Sequence, residues 1–282
     1  MKPSLCSEQF RMPWPDHRTV FPFITHSDLK MPGPDTVLWR YMDLTKLLDI
    51  LGNQCLHFTR IDKFEDPFEG VAPRKALEGL SRRVPASDLE EVLQIRRRTH
   101  ALCWHANKTE SAAMWRLYLS SNEGIAIKTT AQRLQESLQL SPPEDKALFI
   151  AEVEYIDHDD EALFLENFLK WATFKRKSFE HEREVRLMRV ADHNELGDDF
   201  VYRPRINVST LIESICIGPL VPKWVGDVIE QAISKYGNFK IERSELGDDP
   251  TYISRFIEDL QAGRHPTEEN SQPGGNATSD PT

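Results

Sequence analysis

The chain has 282 residues, with 35 Lys and Arg against 45 Asp and Glu, a formal net charge of −10 at pH 7, and 39% hydrophobic residues. This length holds one large or two small domains with a sizeable core, and the acidic balance excludes the global positive field that drives non-specific binding to phosphate polymers or anionic membranes. No apolar run approaches the roughly 20 residues of a membrane-spanning helix, the start MKPSLCSEQFRMPWPD has no apolar signal-peptide core, and Cys6, Cys55, Cys103 and Cys216 form no C-x-x-C pair, so a cytoplasmic protein with reduced thiols is expected.

Residues 1–34 are rich in Pro and aromatics without a sustained period and read as an irregular N-terminal arm. Val37–Met42 predicts a strand, Leu44–Leu51 an amphipathic helix stopped by Gly52, and Cys55–Arg60 a second strand, followed by the polar turn FEDPFEG. Helices are expected over about 73–81 and 87–99, a strand over 100–106, a helix over 110–119 and a strand over 124–128. Leu148–Tyr155 reads as a strand, about 160–176 as a long helix, and Glu182–Val190 as another strand. A strand near 212–217, a turn at Gly218 and Pro219, a helix over about 222–236 and a strand over 239–245 complete the series. From about Gly263 no large apolar residue remains, so 261–282 is expected to be a disordered tail. Strands and helices mix without a strict βαβ period, which makes 35–260 a single α+β domain with a mainly antiparallel sheet surrounded by helices.

Three clusters can carry chemistry. In KRKSFEHEREVRLMRV, Lys175–Val190, strand alternation puts Val185 and Leu187 on one face and Glu182, Glu184 and Arg186 on the other. Two carboxylates about 7 Å apart on one strand face repel unless cations or a cleft hold them. They suit general-base work or stabilisation of a developing positive charge, and equally a solvated ladder of ion pairs. In Leu38–Gly70, Arg40 shares a face with Leu38 and needs a partner, either a ligand phosphate or a carboxylate such as Glu184 or Asp66. Glu65, Asp66 and Glu69 lack a nearby His or Cys, so no metal is expected there. In Cys103–Ile127, Trp104 and His105 end a strand, and Met114, Trp115 and Tyr118 follow at helical spacing. Their rings serve core packing or stack on a planar ligand, and His105 is either an acid or base or a structural histidine. The arginines at 82, 83 and 96–98 alternate with acids such as Asp88, Glu90 and Glu91 and read as a solvated face. Motifs for serine hydrolases, P-loop proteins, Rossmann folds and zincins are missing.

Taken in order, L-W-R-Y at 38–41, H-F-T-R and F-E-D-P-F-E at 57–69, C-W-H with M-W-R-L-Y-L and G-I-A-I at 103–127, F-E-H-E-R-E-V-R-L at 179–187 and I-G-P at 217–219 resemble the bacterial family catalogued as domain of unknown function 2971, over about Val37–Leu246. That family name carries no activity. A strand with Arg, a short helix, a second strand and a late strand bearing Glu-x-Glu also resemble, more distantly, the ADP-ribosyltransferase fold. This likeness implies a split sheet with NAD as substrate in a cleft between its halves, and ADP-ribose transfer to a protein or nucleic-acid acceptor, or NAD hydrolysis, as in some toxin and phage-defence systems. It assigns Glu184 as the catalytic carboxylate and Glu182 as the upstream acid that helps the acceptor. It makes Arg40 the NAD-holding residue, lets Trp104 or Tyr118 stack on nicotinamide, and brings Tyr41, His105 and Arg186 into the same cofactor-binding set. The middle-strand motif of that superfamily is replaced here by Trp104, His105 and Ala106. A non-catalytic regulatory protein that uses the same cleft to bind a nucleotide or protein is the alternative. A metal-dependent nuclease on Glu65, Asp66, Glu182 and Glu184 lacks the basic groove it requires.

Overall fold

The computed structural model describes residues 29–82, 85–86, 94–118, 122–138, 148–159, 168–191, 201–247 and 251–262. The arm up to residue 28, the expected helical residues 87–93 and 160–167, and the tail from 263 lie outside them. The chain separates into a large unit that ends at Ser244 and a small one from Glu245, whose described part is a 3-10 turn, Glu245–Gly247, and a helix, Thr251–Gln261.

The large unit is an α+β fold on a nine-stranded, mostly antiparallel sheet. Its path runs β11 (Ile241–Arg243), β10 (Ser214–Ile217), β4 (Gly124–Thr130), β1 (Val37–Asp43), β3 (Thr99–Ala106), β2 (Phe58–Arg60) and β9 (Val201–Tyr202). β8 (Glu184–Val190) pairs with β3, and β5 (Leu148–Glu152) pairs with β8. Among the described strands of this sheet only β10 and β11 are parallel.

Strand alternation positions two cores. On one face Leu38 and Met42 of β1, Leu102 and Trp104 of β3, Ile125 and Ile127 of β4, and Val185 and Leu187 of β8 form a continuous apolar layer. Helix α1 (Leu44–Asn53) covers it with Leu47, Ile50 and Leu51, the i, i+3, i+4 stripe of an amphipathic helix. On the other face Trp39 and Tyr41 pack with Met114 and Trp115, while Ala101, Phe149 and Met188 pack with Leu169 and Ala172. Covered on both sides, β8 is buried at every residue.

Several elements differ from the sequence expectation. Helix α1 runs past Gly52 and stops at Gln54, whose left-handed backbone (φ 51°) lets its N–H reach the Ile50 carbonyl. Cys55 makes only an isolated bridge with Arg205, so β2 starts at Phe58. The segment Leu148–Tyr155 is two strands. β5 leaves β8 at Val153, whose N–H is taken by the Glu184 carbonyl, and β6 (Glu154–Ile156) pairs in parallel with β7 (Phe174–Arg176) in a separate small sheet. The expected long helix over 160–176 is therefore corrected in its described part: Phe168–Thr173 is a 3-10 helix and Phe174–Arg176 is strand. Glu182 is not on β8 either. It ends a 3-10 helix, Lys177–Glu182, and Arg183 in the left-handed region (φ 42°) turns the chain before β8 begins at Glu184.

Candidate functional site

The site grows from a break in strand pairing. β8 occupies one edge of β3 over Thr99–His105, so β1 and β2 must share the other. β1 takes only the far end, Leu38 with Ala106 and Trp39 with His105, and β2 takes the near end, Thr59 with Ala101 and Arg60 with His100. Between them Leu102–Trp104 pairs with neither strand, and the sheet splits. Arg40 sits in this gap, where its Nη1 donates to the Cys103 carbonyl at 2.6 Å and its guanidinium carbon lies 6.0 Å from the centre of the Trp104 ring. A side chain thus satisfies a carbonyl that a neighbouring strand leaves open. Burial lowers the Arg40 pKa from its ordinary value, against the opposing pull of groups that include Glu184.

Around the first residues of β8 lies a buried ionic cluster. Arg186 is fully enclosed. Its Nε and Nη2 each lie 3.0 Å from a Glu184 oxygen, its Nη2 also reaches Glu69 Oε2 at 2.6 Å, and its Nη1 donates to the Ala172 carbonyl at 2.7 Å. Lys175 Nζ donates to Glu182 Oε2 at 2.7 Å and Glu184 Oε2 at 3.1 Å, and stands 3.3 Å from Glu69 Oε1. Counted at their formal charges, three carboxylates and two cations leave one negative charge in excess. Burial alone would raise the Glu184 carboxyl, yet Arg186 and Lys175 hold it down at about 2. Glu69 goes the other way, because burial there outweighs its cations. Burial also opposes the charge on Lys175, but the surrounding carboxylates win and raise its pKa.

Glu182, Glu184 and Arg186, grouped on one face by sequence, do come together, although Glu182 arrives through the turn at Arg183. Glu184 has both oxygens engaged, whereas Glu182 has one oxygen on Lys175 and the other without a hydrogen-bond partner among the described residues. His105 donates from Nδ1 to the Glu182 carbonyl at 2.6 Å, its Nε2 is buried without a partner, and burial lowers its pKa. Its structural job is to pin the turn that carries Glu182. Tyr118 is 45% exposed beside the cluster, and burial together with the charges of Glu182 and Glu184 raises its phenol pKa. Trp104 and Tyr41 sit apart from any open surface. Trp104 is 1% exposed within the main core, and Tyr41 packs edge-on against Trp115 at 4.8 Å while its hydroxyl accepts from the Ser111 N–H. A nicotinamide ring therefore cannot stack on Trp104 as the chain stands.

Sequence reasoning missed Lys175 and Glu69 as members of the cluster and Tyr155, whose hydroxyl accepts from the Glu184 N–H at 2.8 Å. The signal for Lys175 was its place in the same charged run. Nothing local marks Glu69, which lies 117 residues from Arg186. Neither carboxylate suggested for Arg40 bonds it: its hydrogen bond goes to the Cys103 carbonyl, and Asp66 pairs instead with Arg176 at 2.9 Å. Among the described residues no group of three His, Cys, Asp or Glu side chains is arranged to hold a metal ion, and no helix is long and apolar enough to cross a membrane.

No family model matches the chain, the unknown-function 2971 family included, and no curated protein matches it. Among solved structures it is similar to Thermus sp. 2.9 DarT in complex with ADP-ribosylated ssDNA, with a TM-score of 0.38 and 9% identity over 77% of this chain and 98% of that one. It is similar also to the same protein in complex with NAD+, with a TM-score of 0.37 and 10% identity over 77% and 98%. The complex with carba-NAD+ gives 0.35 and 10% over 75% and 96%. The fold class itself rests on the strand order and the split sheet.

Proposed function

We propose that this protein is an ADP-ribosyltransferase-like enzyme that takes NAD as substrate and passes ADP-ribose to a protein or nucleic-acid acceptor, or to water. The observation that carries this reading is the net-negative ionic cluster at the head of β8, beside an arginine lodged where β1 and β3 part. Cleavage of the bond between nicotinamide and ribose sends the bonding electron pair into the nicotinamide ring, which loses its positive charge, and leaves positive charge on the ribose. Carboxylates held ionised and fixed by neighbouring cations stabilise that charge without reorganising. Glu184 supplies this field, and Glu182, with one uncommitted oxygen, is the group placed to receive the proton of an attacking hydroxyl, amine or water. Arg40 suits the pyrophosphate, which a guanidinium grips through two parallel bonds. Tyr118 offers the exposed ring beside the cluster.

One observation favours a second reading, a cleft that binds a nucleotide or partner without turnover: both Glu184 oxygens are already committed to Arg186 and Lys175. Incubation with NAD labelled on its adenylate phosphate, in cell extract, separates the two. We expect transferred label and released nicotinamide, and a loss of 100-fold or more in Glu182→Gln, in line with the roughly 10²–10⁴-fold worth of a positioned acid or base. Equal turnover by wild type, Glu182→Gln and Glu184→Gln would sink the mechanism. NAD binding without nicotinamide release would instead establish the second reading.

A further inference from the structure

A cavity of about 420 Å³, away from the gap that holds Arg40, is lined by Asp62, Gly70, Val71, Gln94, Arg96, Arg97 and Trp171. Its size falls in the roughly 300–1,000 Å³ range of small-molecule sites and exceeds what a lone oxyanion needs. Three features of the wall select a ligand. The one acidic wall residue, Asp62, is engaged on both oxygens by Arg60, at 2.7 and 3.0 Å. Arg96 and Arg97 have no salt-bridge partner among the described residues, which leaves two guanidinium groups on this wall for an anion. Val71 and the largely buried Trp171 add apolar lining, and Gln94 an amide able to donate and accept. Gly70 lets this wall form: at φ +69° a side chain there is strained, and a Cβ would come within 2.9 Å of Ile61 and 3.2 Å of the Arg96 stem.

We propose that this cavity is a second ligand site that takes a phosphorylated small molecule with a flat, partly apolar body, its phosphate on Arg96 and Arg97 and its body against Val71 and Trp171. The site stands independently of the NAD reading. It is nonetheless joined to the ionic cluster through the chain, because Glu69 and Ala172, the neighbours of Gly70 and Trp171, both hold Arg186. A ligand that presses on either wall acts one residue away from the groups that fix Arg186.

The test is calorimetric titration of the full chain with AMP as the probe, beside adenosine and inorganic phosphate. AMP should bind at least tenfold tighter than either fragment, and Arg96→Gln/Arg97→Gln should weaken it at least tenfold with an unchanged unfolding profile. AMP should also shield Arg96 and Arg97 from phenylglyoxal in peptide mapping. Any one of four results overturns the proposal: no AMP binding at millimolar concentration, adenosine or phosphate binding as tightly as AMP, unchanged affinity in the double variant, or absence of shielding. Binding lost in Arg40→Ala but kept in the double variant would assign the nucleotide to the split in the sheet and equally overturn it.

Discussion

Strand β8 carries two kinds of buried surface back to back. Val185 and Leu187 face an apolar layer, while Glu184 and Arg186 on the opposite face meet charged partners, and all four are 4% exposed or less. The apolar face asks of its neighbours only volume, so a missing methylene leaves a cavity that surrounding atoms partly close. The ionic face asks for identity. Glu69 and Glu184 each rely on the same guanidinium, and removing it leaves charge in a place water does not reach. A strand can therefore be equally buried on both sides and far less tolerant on one.

Breaking the ionic face should cost most. Arg186→Met keeps the bulk and removes the charge, and should lower unfolding free energy by about 4–5 kcal/mol in a urea titration, because Lys175 alone cannot neutralise the carboxylates. Leu187→Ala, the same experiment on the apolar face, should cost about 3–4 kcal/mol. If the apolar variant proves the more damaging, the contrast between the faces is wrong. Acid sharpens it further. The folded Glu184 carboxyl, at about 2, lies below its ordinary value, so the unfolded chain binds the proton more readily and stability rises with pH. Its contribution is complete above the ordinary value of 4.5 and disappears as pH falls from there through about 2, about 3 kcal/mol in all. Glu69, whose pKa burial raises, opposes this: the folded chain holds its proton more tightly, so that contribution falls as pH rises through its shifted value. The stability gap between wild type and Glu184→Gln, followed by denaturant midpoint from pH 5 to 2, should accordingly narrow, and a constant gap would show that Glu184 is not held ionised. The smallest effect belongs to the surface: Arg203→Ala, which loses a half-exposed pair with Asp49 at 3.2 Å, should change stability by about 0.5 kcal/mol or less.

What was legible in the chain follows the same division. The period-2 pattern at 184–190 and the i, i+3, i+4 stripe of Leu47, Ile50 and Leu51 depend on neighbours in sequence, and both faces of β8 and the core side of α1 were readable from them. The membership of the ionic cluster was not. Glu69 comes from a polar turn far upstream and Lys175 from a segment whose composition suggests helix but whose pairing with β6 makes it strand, a tertiary override of local preference. Glu182 was placed correctly in space for the wrong reason, since one left-handed residue at Arg183 shifts it off the strand while the His105 bond to its carbonyl returns it to the cluster. Trp104 was readable as an aromatic at a strand end, but only the packing of Val185 and Leu187 beside it decides that its ring is core.

The split between β1 and β3 has a mechanical side. β1 is stitched to β4 by seven residue pairs and β3 to β8 by another seven, yet β1 and β3 share two. The sheet is thus two stiff plates joined by a short seam, with Arg40 bridging it from one plate to a main-chain oxygen of the other. Opening along that line parts fewer residue pairs than opening β1 from β4, β4 from β10 or β3 from β8, so the least costly place to part these strands is the line that Arg40 crosses.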